Sequence, residues 1–504
     1  MSAPAVSRSR FQLSHLTPTT SFSSLFDRTR RASFSLSMAS LSVPTIVFLS
    51  LVLDLFAFTL PLPLFPRLIE WFTIRESSDP NGFLSQTLNF VSNIRGIFYN
   101  PASHSTKWDV VLLGGLMGSV FSTLQFLVSP RIGSLSDKYG RKRILLITMI
   151  GNILSAIIWM VSSNFATYML SRVVGGLSEG NVQLAIAILS DVTTPAERSK
   201  ALAHVGIAFA ICFCIGPPIG AYFATRPLPS SLNTWGLELN VYVVPAAITL
   251  ILLLVETLFL IVALPETRGK RIVSSTEKTN GASPSKPIKK ASVEQRIKTL
   301  RTLRWLHFLF LGVFSGVEFT LTFLTFDLFD WNNRQNGALI GSIGIVSALL
   351  QGGYVRRATS KIGEGVMARR GVSSCAAGLV LLALLPNFTT SRPTLALRLL
   401  QGAAVCMAFT SATVVNSLTA FASLQCDDTS VDPITGKPKE HSQLAKGKAL
   451  GQFRSSGQLG RAIGPLLACA SYWTFGPSWT YAISAVAMTV LSVGMRPISA
   501  TKSS

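Results

Sequence analysis

The chain has 504 residues, enough for several soluble domains, but only 13% of them are charged, about half the usual share of roughly 25% in soluble proteins. Hydrophobic residues make up 48% and fall in long runs with the charges between them, which excludes an ordinary soluble protein and indicates a polytopic α-helical membrane protein. The formal net charge of +22 favours contact with anionic lipid over nucleic acid, because no separate basic domain is present.

The first 42 residues are rich in serine and carry five arginines against one acid, Asp27. This composition predicts a disordered basic tail on the cytoplasmic side. A transit peptide has a similar composition, so the sequence leaves open whether residues 1–42 carry targeting information.

Twelve apolar runs follow, each close to the roughly 20 residues that a helix needs to cross about 30 Å of hydrocarbon. We predict spans at 43–66, 110–132, 144–163, 166–189, 201–224, 241–264, 305–328, 337–355, 372–388, 394–424, 449–475 and 478–495. The polar, lysine-rich stretch 265–304 then becomes a cytoplasmic linker between two six-helix bundles, 43–264 and 305–495, followed by a C-terminal tail at 496–504.

The distribution of basic residues predicts the orientation of these spans. With both termini in the cytoplasm, the outside loops hold only six of the 45 lysines and arginines, namely Arg75, Arg95, Lys107, Arg226, Arg334 and Arg392. The positive-inside rule favours this arrangement over its reverse. The sequence does not distinguish a plasma membrane from a vacuolar or endosomal one.

The two predicted bundles share short motifs at corresponding positions. Arg172 precedes Gly176 in span 4 with the spacing that Arg398 and Gly402 have in span 10. A Gly-Pro pair occurs both in span 5, at residues 216–217, and in span 11, at residues 464–465. Two matches at equivalent spans indicate an internal duplication, which many secondary transporters contain.

Ionisable residues inside predicted spans are expensive to place in lipid and are therefore candidate functional groups. Asp54, Glu179 and Glu318 are candidates for substrate contact or proton coupling, with pairing across helices as the structural alternative. Arg172 lies two turns before Glu179, which predicts a shared helix face. Mid-span Glu256 is expected to form a structural pair, and Arg454 and Arg461, seven residues apart, are expected to pair at a gate.

The loop after span 2, residues 133–143, reads GSLSDKYGRKR. Gly133 and Gly140 permit a tight turn and close helix approach, and Asp137 can bind a basic group or a helix N-terminus. In this position the loop resembles the G-x-L-x-D-x-x-G-R-K motif of the major facilitator superfamily. The resemblance implies two six-helix bundles that alternate between inward- and outward-open states, with Asp137 and Arg141 as a cytoplasmic latch.

Further motifs resemble the tetracycline-transporter-like, drug:proton antiporter branch of that family. By this resemblance, Arg172 would assist proton movement, and the span-5 motif would keep span 5 bent and tightly packed. The chain departs from the motif at Cys212 and Ala221, where glycines are expected, so antiport coupling is less firmly implied. Animal members of the branch are thought to export organic anions, but Glu179 stands where they carry a lysine, which favours a neutral or cationic substrate. The matching span-5 residues are Gly206, Gly216, Pro217 and Gly220.

We therefore interpret the chain as a monomeric, proton-coupled exporter of drug-like compounds or organic ions, in which protonation of Asp54 biases one of two bundle arrangements. The alternatives are an uncoupled facilitator and a receptor or regulator that uses a transporter fold without flux. An enzyme is not expected, because no nucleophile motif, phosphate loop or paired catalytic carboxylates occur. The six cysteines and five histidines show no metal-ligand spacing, so neither a metal nor a cofactor is expected.

Overall fold

The computed structural model describes residues 41–61, 64–98, 107–224, 242–268, 291–331, 333–426 and 441–500. The predicted N-terminal tail lies almost wholly outside these ranges, and so do residues 269–290 of the predicted linker and the last four residues of the predicted C-terminal tail.

The described residues are helical nearly throughout. Sixteen α-helices occur in them: α1 (Val43–Thr59), α2 (Phe65–Arg75), α3 (Phe83–Phe98), α4 (Lys107–Tyr139), α5 (Arg141–Met160), α6 (Phe165–Ser178), α7 (Asn181–Val192), α8 (Pro195–Ala224), α9 (Val243–Ala263), α10 (Val293–Phe329), α11 (Asn333–Leu350), α12 (Arg356–Ile362), α13 (Glu364–Leu384), α14 (Pro393–Gln425), α15 (Lys446–Gly494) and α16 (Arg496–Ala500).

These helices supply the twelve predicted membrane crossings. Within the described ranges, nine helical stretches are long and apolar enough to cross a bilayer by length and composition, and the apolar helix α1 is slightly shorter. Helix α15 contains the last two crossings, because Gly476 adopts a φ of 80° and divides its 49 residues into two arms. We call α1–α9 the first half and α10–α15 the second half.

Local sequence explains several helix boundaries. Asn164 accepts a hydrogen bond from the Thr167 N–H at 2.8 Å and starts α6 with a capping box. Ser292 accepts from the Gln295 N–H at 3.2 Å and starts α10 at Val293. Part of the stretch predicted as a linker, residues 293–304, is therefore helical. Two helices that were not predicted, α2 and α3, lie between the first two crossings.

The repeated Gly-Pro pairs make equivalent contacts in the two halves. A Cβ added to Gly216 of α8 would lie 2.0 Å from Thr59 Oγ1 of α1. A Cβ added to Gly464 of α15 would lie 2.2 Å from the carbonyl oxygen of Gly312 on α10. In each half, glycine thus allows the fifth crossing to approach the first closely, which agrees with an internal duplication.

Candidate functional site

A central cavity of about 310 Å³ lies between the two halves. Helices α1, α4, α7 and α8 line one wall, and α10, α11, α14 and α15 line the other. Its volume is at the lower end of the roughly 300–1,000 Å³ found for small-molecule sites. The wall combines five phenylalanines with charged and amide groups: Phe58, Phe121, Phe209, Phe213 and Phe453 beside Asp54, Glu179, Glu318, Arg454, Arg461, Gln125, Gln183, Gln351, Asn416 and Gln458.

The first half contributes two carboxylates to this cavity. Asp54, only 5% exposed, accepts a hydrogen bond from Asn181 Nδ2 at 2.6 Å. Glu179 lies between α6 and α7, where its extended backbone (φ −68°, ψ 98°) ends the helix. Gly180 follows and lies close to α5, since an added Cβ would fall 2.9 Å from Thr148 Cγ2. The break carries Glu179 into the cavity wall.

The second half contributes both signs of charge. Arg454 and Arg461 of α15 are half-buried, and Glu318 of α10 is exposed to the cavity. Electrostatic attraction acts between Glu179 and Arg454 and between Glu318 and Arg461. Among the residues that the structure describes, no ion pair within 4.0 Å involves these four side chains. A ligand between them can therefore compete for the arginines.

His307 of α10 lines the cavity and has one ring nitrogen without a hydrogen-bond partner among the described residues. Its ring stacks on Phe453 at 4.2 Å, and Nδ1 lies 3.0 Å from the Phe453 carbonyl oxygen. Because a carbonyl only accepts, Nδ1 carries a hydrogen, and in the neutral imidazole Nε2 then carries the lone pair. Nε2 has no hydrogen-bond partner among the described residues, although the side chain is only 4% exposed.

The loop motif holds the two halves together at one end of the molecule, which we call the motif end and which is predicted to be cytoplasmic. Asp137 accepts from the backbone N–H groups of Gly447 and Lys448 at 2.9 and 2.7 Å. These groups belong to the first turn of α15, where the helix dipole also favours an anion. Gly133 faces Gly447 so closely that an added Cβ would lie 2.1 Å from its carbonyl oxygen.

Arg141 extends this latch within the first half. Its guanidinium lies 2.8 Å from Asp137 Oδ1 and 2.9 Å from Asp191 Oδ2. Burial opposes the charged guanidinium, but the two carboxylates outweigh that cost and keep it ionised. Lys446 of the second half reaches Asp191 Oδ1 at 3.2 Å. Gly140, the residue before α5, has a φ of 101°, which only glycine adopts readily.

Further contacts across the halves close the motif end. Ser190 and Ser423 hydroxyls lie 2.7 Å apart, and Ser455 donates to the Phe126 carbonyl oxygen at 2.7 Å. Of the span-5 glycines, Gly206 faces the other half, since an added Cβ would meet Asn416 and Gln351 at 2.1 Å. Gly220 instead packs within the first half, since an added Cβ would lie 1.9 Å from the Leu60 carbonyl oxygen. Pro217 lies inside α8 directly after Gly216.

The structure brings together three of the four residues singled out for coupling, since Asp54, Glu179 and Glu318 all line the cavity. Arg172 lies elsewhere, with its guanidinium 5.6 Å from the Trp159 ring centre and 5.4 Å from that of Tyr168. The expected shared face of Arg172 and Glu179 is wrong, because Glu179 lines the cavity whereas Arg172 packs on the two aromatic rings.

The structural partner of Glu256 is the Ser50 hydroxyl, at 2.7 Å, and among the described residues Glu256 forms no ion pair within 4.0 Å. His307 and the amides Gln125, Gln183, Gln351, Asn416 and Gln458 were missed. The sequence could have identified these residues, because each is a polar side chain inside an apolar run.

Comparisons with known proteins agree with this architecture. Residues 47–430 match the Major Facilitator Superfamily model. Major facilitator superfamily domain-containing protein 10 of Mus musculus is 34% identical over 450 residues, which cover 86% of this chain and 87% of that protein. The quinolone resistance protein NorA of Staphylococcus aureus is 34% identical over 111 residues, only 22% of this chain and 29% of that protein.

Solved structures show the same fold. The crystal structure of the human organic anion transporter MFSD10 (TETRAN) superposes with a TM-score of 0.71 at 29% identity, covering 90% of this chain and 99% of that one. The proton:xylose symporter XylE gives a TM-score of 0.60 at 14% identity, covering 91% of this chain and 96% of that one, which supports the twelve-helix fold alone.

Proposed function

Because the chain belongs to the major facilitator superfamily, a family of multi-pass membrane transporters rather than enzymes, we propose that it moves small organic anions through the central cavity by proton-coupled alternating access. In this proposal the substrate binds in the central cavity. Its aromatic wall suits an apolar body, and its arginines suit an acidic head group.

The observation that carries the proposal is the position of Arg454 opposite the carboxylates of the first half. Arg454 interacts electrostatically with Glu179 and, more weakly, with Asp54. An anionic head group that binds Arg454 removes this partner from Glu179. Without this partner the ionised carboxylate is less stable, so Glu179 takes up a proton more readily. Anion binding and proton binding therefore favour each other.

The relative described as a human organic anion transporter supports the same substrate class. Glu179, which favoured a neutral or cationic substrate at the level of sequence, lies in the cavity with two arginines. With Asp54 and Glu179 protonated, the remaining cavity charges are those of Glu318, Arg454 and Arg461, so the site has a formal charge of +1, which attracts an anion.

Alternating access requires the contacts at the motif end to open and close. Asp137 and its partners on α15 stabilise the arrangement seen here, with the motif end closed. A bound anion and proton can shift the equilibrium only through different affinities for the two arrangements. The opposed charges of the cavity wall, which belong to different halves, supply that difference.

Export by antiport, which the resemblance to drug:proton antiporters implies, needs the opposite linkage, since substrate binding would then release a proton. The two mechanisms differ in a measurable sign. In weakly buffered solution, an anion that binds with proton uptake raises the pH, and a substrate that binds by displacing a proton lowers it.

The test uses the purified full-length chain, both in detergent and in lipid vesicles. We expect an aromatic carboxylate to bind with proton uptake, and its transport to rise at least tenfold when a proton gradient points in the same direction. Asp54→Asn should abolish the gradient-dependent gain. Asp79→Asn, an exposed acid remote from the cavity, is the matched control and should behave as the unmodified chain.

Three results would contradict the proposal. Transport of matched cations but not anions would reject the substrate class. Proton release on anion binding would reject the linkage and favour antiport. Binding without flux in sealed vesicles would favour a receptor with a transporter fold.

A further inference from the structure

Glu256 lies outside the cavity and has no role in the function proposed so far. It is in the middle of α9, is 0% exposed, and faces α1. Ser50 Oγ of α1 donates to Glu256 Oε1 at 2.7 Å. Glu256 Oε2 is buried and has no hydrogen-bond partner among the described residues. Such a carboxyl group is far better accommodated as the neutral acid than as the anion.

The charges around Glu256 reinforce this preference. Asp54 on α1 acts on it most strongly, followed by Glu179, and both are acidic. Asp54 lies one turn after Ser50 on the same helix, so the two residues share a face. Glu256 therefore binds α1 one turn before the carboxylate of the cavity wall.

The other helices packed against α9 bring no cation to Glu256 in the described part of the chain. The basic residues of α5 occupy its first turn, and Lys142 Nζ binds the Ile261 carbonyl oxygen at 2.8 Å, more than a turn beyond Glu256 along α9. On α8, the thiol of Cys212 donates to the Val52 carbonyl oxygen at 3.3 Å, and the ring of His204 packs on Phe48 at 5.8 Å.

From this geometry we propose that Glu256 is a second proton-binding residue, and that Asp54 and Glu256 form a carboxyl pair that shares one proton while the motif end is closed. Two neighbouring carboxylates repel each other, so the pair retains its last proton more tightly than either group would alone. When the proton moves from Glu256 to Asp54, Glu256 becomes the carboxylate and Ser50 Oγ continues to donate to it.

This inference rests on the proposed proton coupling and makes it more specific. Glu256 does not line the cavity, so it cannot bind the substrate. Its carboxyl group instead determines how many protons the first half can bind beside Arg454. A substitution at Glu256 should therefore change the dependence of transport on pH without removing the substrate site.

Glu256→Gln tests the pair, because glutamine resembles the neutral acid and can still accept from Ser50. In full-length protein in vesicles, we expect the pH midpoint of anion transport to fall by at least one unit, since Asp54 no longer has a carboxyl neighbour. Infrared difference spectra should lose a carboxylic-acid C=O band. Thr249→Val is the matched control, because Thr249 lies two turns earlier on α9 and donates to the Ala57 carbonyl oxygen of α1 at 3.4 Å.

An unchanged pH midpoint together with an unchanged carboxylic-acid band would overturn the shared proton and leave Glu256 a packing residue. An equal change in Thr249→Val would assign the effect to α1–α9 packing and would also overturn it. Transport without pH dependence in the unmodified chain would instead reject the proposed coupling, and the infrared band would still decide whether Glu256 carries a proton.

Discussion

Replacing Asp137 with asparagine should open the motif end. Asp137 and Arg141 both belong to the first half, so their ion pair persists when the halves separate. The contacts of Asp137 that distinguish the two arrangements are its bonds to the Gly447 and Lys448 N–H groups at 2.9 and 2.7 Å. Asparagine keeps one acceptor oxygen, so the substitution removes one bond and the negative charge.

The size of the effect follows from that difference. A hydrogen bond to a charged group contributes roughly 1.5–3 kcal/mol, and the helix dipole of α15 adds to it. A loss of about 2–3 kcal/mol corresponds to a shift of about 30- to 150-fold in the equilibrium between the closed and open arrangements. A closed population of 99% would then fall to at most about 75% by the same arithmetic.

Pulsed electron paramagnetic resonance measures this equilibrium directly. Nitroxide labels at Lys138 and Gln443, exposed positions at the motif end on the two halves, should show a longer distance in a larger fraction of Asp137→Asn molecules. Arg131→Gln removes an exposed charge from the same helix and should leave the distribution unchanged. An unchanged distribution in Asp137→Asn would show that the bonds to α15 do not hold the motif end closed.

Two further substitutions test packing and charge. Gly216→Ala places a Cβ 2.0 Å from Thr59 Oγ1 and should destabilise the chain by about 1–3 kcal/mol. Gly118→Ala, whose Cβ meets nothing within 4 Å, should not, and thermal unfolding midpoints compare the two variants. Arg454→Gln should weaken anion binding about tenfold or more, and adding Glu179→Gln should restore part of that loss because the two charges interact. Strictly additive effects in the double variant would show that the two residues act independently.

Much of the fold could be predicted from local sequence. A crossing helix is recognised by its own apolar residues, because the free energy of its transfer into hydrocarbon depends on the side chains of that helix. The twelve crossings and the fold class are therefore confirmed. The capping signals at Asn164 and Ser292 are equally local, although the start of α10 at Val293 was not predicted. The break at Glu179 was missed, since hydropathy does not distinguish one long helix from two short ones.

The sequence by itself determined that this chain spans a membrane, indicated that its halves are repeats, and placed Asp54, Glu179 and Glu318 inside predicted spans. Only the tertiary structure decided which groups face each other. Gly447 lies 310 positions after Asp137, yet its N–H binds the Asp137 carboxylate across the two halves, and Arg454, 275 positions after Glu179, acts on Glu179 electrostatically from the other half. Such contacts depend on how two bundles dock, and burial energies, which add residue by residue along the chain, carry no information about which helix faces which.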